Sequence, residues 1–212
     1  METAQIKNMI AAKFADPHAV TDLQELLAVV AERGGAKPDH GQLTSGASFI
    51  YSYIEQVPYM LTVAWTSAKS VGLEAEIESI QAMIVSYWIE DDDVIPDSLG
   101  IIGLLDDAYC SLLSMQTMSD FYQLQTGKFL FPDDLTAANS IMRKIIGEPY
   151  ATELDNIVSK AMLDANIKDS VKLMANPEKQ QLFESQATIW NHGPVQELPL
   201  DQLAGLGLTE DK

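Results

Sequence analysis

Between positions 90 and 107 the chain carries Glu90, Asp91, Asp92, Asp93, Asp97, Asp106 and Asp107. Carboxylates at this density invite three kinds of chemistry. Asp93, Asp97, Asp106 and Asp107 together would offer hard, oxygen-only ligands suited to Mg²⁺ or Ca²⁺. The alternating Asp-x-Asp-x-Asp-Gly loop of a calcium site is absent. The same acids could instead lock a turn, with Asp97 capping the next helix and Asp106 folding back onto free N–H groups. Acid/base catalysis by Asp106 and Asp107 is the least favoured, because adjacent helical positions diverge by ~100° and cannot easily share one substrate atom. No residue is therefore assigned a catalytic role.

The remaining reactive side chains are scattered. His18, His40 and His192 stand alone, outside any metal-binding spacing. Cys110 is the only cysteine, so neither an internal disulfide nor a thiolate cluster can form. It sits in an apolar stretch and is expected in the core. The chain has no phosphate-binding glycine loop and no nucleophile elbow. An aromatic group, Phe49, Tyr51, Tyr53, Tyr59 and Trp65, is expected to be core, with a ligand groove between helices as the alternative.

Helices must position all of these residues. Apolar side chains recur every three or four positions in nearly every segment and strand alternation is almost absent, so the fold expected is an all-α, multi-helix bundle. Helices are predicted over 3–14, 21–33, 73–88, 133–146, 150–164, 167–175 and 178–190. Residues 44–70 form two helices or one kinked at Pro58. Ser98 to about Met118 forms a further, very apolar helix. It would place Leu99, Ile102, Asp106, Tyr109 and Leu113 on one stripe, with Asp106 in mid-helix facing the core, where a carboxylate needs a partner. Gly100, Gly103, Asp107, Ser111 and Ser114 form a neighbouring stripe of small residues open to close backbone approach. Asp16-Pro17, Gly34-Gly35 and Gly147 are the clearest helix stops.

The organisation expected is an N-terminal helical pair over 1–35, a main helical domain over 42–190, and an irregular tail over 191–212. The tail carries Leu200, Leu203, Leu206 and Leu208 and is read as an interaction element, docking on its own domain, within an oligomer, or on a partner.

One stretch matches a known pattern. Tyr87, then Asp93-x-Ile95-Pro96-Asp97, then Gly103-x-Leu105-Asp106-Asp107, resembles the YkvA-like family, a bacterial domain of unknown function. The resemblance covers residues 73–115. Gly100 departs from it where the family usually has a second proline, and Asp91-Asp92 is more acidic than usual. It implies a helical hairpin and no established activity.

Composition narrows the function classes. Of 212 residues, 31 are Asp or Glu and 13 are Lys or Arg, for a formal net charge of -18. That charge repels phosphate backbones and anionic membrane faces, and would suit a basic protein partner or divalent cations. The longest strongly apolar uncharged run lies between Glu55 and Lys69, short of the about 20 residues a bilayer requires. With no secretory pattern at Met1-Glu2-Thr3, the expected location is cytoplasmic. The function expected first is non-enzymatic, through a protein partner or homo-oligomer. A metal-binding regulator or metal-dependent enzyme built on the 90–107 acids stands second. Peripheral membrane association stands third, invited by the apolar hairpin and opposed by the charge.

Overall fold

A computed structural model describes residues 2–89, 94–131, 133–185 and 200–208. Among them the regular structure is helical and no strand occurs. The helices are α1 (Glu2–Phe14), α2 (Ala19–Arg33), α3 (His40–Val71), α4 (Glu74–Tyr87), α5 (Leu105–Thr126), α6 (Thr136–Ile146), α7 (Tyr150–Asp164), α8 (Ile167–Met174) and α9 (Pro177–Ser185). Short 3-10 helices occupy Asp97–Leu99, Ile102–Leu104 and Leu200–Leu206.

Two long helices organise the rest. Along α3, Ile50, Tyr53, Ile54, Val57, Met60, Leu61 and Ala64 are buried on several faces at once. That pattern requires several neighbours, and α1, α2, α4, α5, α9 and the 200–206 helix all pack on α3. The buried residues of α5 likewise run round its circumference, and α3, α4, α6, α7 and α8 enclose it. The covering helices are amphipathic with one buried stripe each: Leu23, Leu27 and Ala31 on α2, Ala138, Ile141, Met142 and Ile145 on α6, Ile167, Val171 and Met174 on α8. α1 and α2 share one continuous core with the rest, so the 36–39 connection joins helices that pack against common neighbours.

Local chemistry sets both ends of α3. Asp39 accepts a hydrogen bond from the Gln42 N–H at 2.8 Å, while the Gln42 side chain accepts from the Asp39 N–H at 2.8 Å. This reciprocal box starts α3 at His40, ahead of the expected start at residue 44. Gly72, at φ 69°, ends it in a left-handed conformation that costs glycine nothing. Between these ends α3 is a single helix of 32 residues running through Pro58, not two. Leu61 and Met60 beyond the proline are buried as fully as Ile54 before it, and that enclosure holds the helix together past the missing N–H.

Polar side chains pin the elements inside this apolar interior. The Tyr53 hydroxyl donates to Asn139 Oδ1 at 2.6 Å, joining α3 to α6. Gln56 Nε2 donates to Asp133 Oδ2 at 2.7 Å, and both residues are buried. Gln116 Oε1 accepts from the Leu135 N–H at 2.7 Å, and Ser119 Oγ accepts from the Leu130 N–H at 3.1 Å. The connection between α5 and α6 is thus held from both ends. Replacing Gln56 with Leu removes a donor from a buried carboxylate and should cost about 1–3 kcal/mol. The expected readout is a lower urea midpoint at unchanged slope.

Candidate functional site

Residues 94–107, which lead into and begin α5, are the region where sequence and chemistry meet, and three contacts set their geometry. α4 ends with Trp88, whose indole Nε1–H donates to Ser111 Oγ at 2.9 Å. That hydroxyl itself donates to the Asp107 carbonyl at 2.7 Å. The chain then returns through the two 3-10 turns, separated by Gly100 at φ 67°. Gly103 lies directly on the first turn. A Cβ there would stand 2.8 Å from Asp97 Cα and 2.8 Å from the Pro96 carbonyl oxygen, closer than backbone allows.

The acids fall out differently from expectation. α5 begins at Leu105, so Asp106 and Asp107 occupy its first turn and not the middle of a helix begun at Ser98. A carboxylate there faces the positive end of the helix dipole, which stabilises it. Asp106 is buried, and its Oδ2 accepts from the Ile95 N–H at 2.8 Å, tying the helix start back to the turn. Asp107 is also buried. Asp97 is half-exposed and caps no helix. Lys13 of α1 donates to its carbonyl at 2.6 Å and sits 3.6 Å from Oδ1. Asp93, with Glu90, Asp91 and Asp92, lies outside the described residues. Leu99, placed by helical spacing on the stripe of Asp106, is exposed because the helix has not yet begun. Among the described residues no three His, Cys, Asp or Glu side chains gather so as to hold a metal ion. Asp97 on the one hand and Asp106 on the other serve different contacts.

A second polar cluster carries no sequence signal. The Tyr109 hydroxyl donates to Asp155 Oδ1 at 2.7 Å, while Arg143 Nε donates to Asp155 Oδ2 at 2.9 Å. Arg143 also meets Glu148 Oε1 at 2.8 Å, and Thr152 donates to Glu148 Oε2 at 2.7 Å. α5, α6 and α7 are joined through these side chains. Burial first, then the bond to Asp155, raises the Tyr109 phenol above its ordinary value of 10.0. Burial does the same at Tyr53. Cys110 is held as a thiol, pushed up by burial and then by Asp106 and Asp107, which removes it as a nucleophile. Thr152, then Arg143, keep the exposed Glu148 carboxyl below its ordinary range.

The aromatic group splits. Phe49 and Tyr53 are core. Tyr51 meets Phe14 edge-on, with ring centroids 4.2 Å apart. Tyr59 lines an open groove of about 760 Å³ between α1 and α3, walled by Ile10, Phe14, Pro58 and Val63. A second groove of about 460 Å³ runs between α5 and α7, past Leu113, Phe121, Val158 and Met162. Lys168 stands over the Phe121 ring at 5.4 Å.

Compared with known proteins, the chain matches no family model, no curated protein and no solved structure.

Two outcomes follow from this geometry. Asp106→Ala should cost about 1–3 kcal/mol by leaving the Ile95 N–H without its acceptor. Gly103→Ala should also destabilise, and the double variant should lose less than the sum, because both changes act on one turn. Chemical denaturation of the four proteins measures this. For pH, the folded state keeps protons on Tyr109 and Tyr53 that the unfolded chain loses above about pH 10. Their contribution to stability is whole below that value and falls as pH rises beyond it. Tyr109→Phe should flatten the alkaline decline in melting temperature.

Proposed function

We propose that this chain is a non-enzymatic helical protein that acts by binding another protein or by associating with itself, using the YkvA-like hairpin as scaffold. One observation carries the reading. Among the described residues, carboxylates that could do chemistry are engaged in holding the fold together: Asp106 on the Ile95 N–H, Asp155 between Tyr109 and Arg143, Asp133 on Gln56. The open concave surfaces between α1 and α3 and between α5 and α7 are mainly apolar, as docking grooves for helices or extended segments are. A net charge of -18 favours a basic partner and disfavours nucleic acid. Among the described residues no helix is long and apolar enough to cross a membrane.

The test combines two measurements on the full chain. Light scattering over a wide concentration range reads self-association, and co-purification from the native host at low and high salt reads a charged partner. A concentration-dependent mass, or a partner released by salt, is expected. A protein that stays monomeric and recovers no salt-sensitive partner would overturn the proposal. Mg²⁺ or Ca²⁺, added at matched ionic strength, should leave the melting temperature unchanged.

A further inference from the structure

The C-terminal 3-10 helix, Leu200–Leu206, does not extend the bundle; it plugs a socket formed by α2 and α3. Leu203, Leu206 and Leu208 are all buried there. The socket is shaped for them at Gly46 of α3. A Cβ at that position would lie 2.8 Å from Leu206 Cδ1 and 2.7 Å from Leu27 Cδ1. On the tail, Gly205 rests so closely on the Gln42 side chain that any Cβ would collide with it. Gln42 is the residue that closes the capping box of α3, so the tail sits on the one end of that helix held by side chains. Gly207 takes φ 68°, and Lys144 of α6 donates to the Leu208 carbonyl at 3.0 Å.

Leucines at 203, 206 and 208, with Gly205 between them lying against the Gln42 side chain, make a short linear motif with a matching receptor. We propose that the α2–α3 socket is a peptide-recognition site, filled in cis by this chain's own tail and in trans by the tail of a second copy. The inference rests on the self-association arm of the proposed function and names its segment and its socket. The contacts are the same in both arrangements, so exchange between copies sacrifices none of them. Residues 186–199 join α9 to the tail and contain Gly193-Pro194 and Pro199. A connection of that length can span up to about 50 Å. What favours the cis arrangement in dilute solution is effective concentration, roughly millimolar for a short tether. Concentrated protein should therefore exchange tails.

The experiment uses the full chain. Isotopically heavy and light protein are mixed at high concentration, held for days and examined by native mass spectrometry, where dimers of mixed mass are expected. In parallel, the Leu203→Asp, Leu206→Asp double variant is titrated with a fluorescent peptide of residues 200–208. Gly205→Val, whose side chain must displace either the tail or the Gln42 side chain, weakens the seating by a second route. Circular dichroism confirms that each variant is folded. The variants should bind the peptide at least about tenfold more tightly than wild type, whose own tail competes. Folded variants that bind no peptide overturn the inference, as does wild-type protein that remains a single unmixed mass. Either failure leaves binding through the apolar grooves to be judged by co-purification, so the two proposals fail separately.

Discussion

Two helices that are buried around most of their circumference dictate the architecture. α3 and α5 bury most of their side chains and leave only a narrow face each to water, so the other helices are recruited to cover the rest. The covering helices need only one apolar stripe each, and that is what α2, α6 and α8 carry. Even Pro58 is absorbed, because the enclosure of α3 outweighs one missing backbone hydrogen bond. The capping box at Asp39 and Gln42 then fixes where this central rod begins, and the tail closes over that same end.

A core built from enclosed helices has little room for unsatisfied polar groups, and the polar residues inside it are used as joints. Tyr53 with Asn139, Gln56 with Asp133, and Tyr109 with Asp155 and Arg143 each connect elements far apart in sequence. The hairpin before α5 works the same way. Asp106 reaches back to Ile95, Trp88 reaches forward to Ser111, and Gly103 lets the turn lie against Pro96 and Asp97. Ile95, Gly103 and Asp106 thus form a turn closed by one carboxylate over one glycine.

With its internal acids committed to joints, the protein presents to its surroundings a strongly negative surface interrupted by apolar grooves. Long-range repulsion keeps such molecules apart in dilute solution, and short-range apolar contact rewards a partner that overcomes it. The tail and its socket are a worked instance of such contact within one chain.

Much of the fold was legible from residue spacing. Helical periodicity located the helices, and Gly34-Gly35 and Gly147 marked stops that the structure observes, because caps and amphipathic stripes act over a few residues. The importance of Asp106 and Gly103 could be read from a carboxylate and a glycine in an apolar run. Their positions could not. Spacing put Asp106 in the middle of a helix from Ser98, whereas close packing of two 3-10 turns delays α5 to Leu105 and turns a mid-helix carboxylate into a first-turn one. Spacing also could not choose where the tail docks, or pair Tyr109 with Asp155 across 46 residues and Tyr53 with Asn139 across 86. Those partners are chosen by which helices lie beside each other, and neighbouring in space leaves no periodic mark on a single chain.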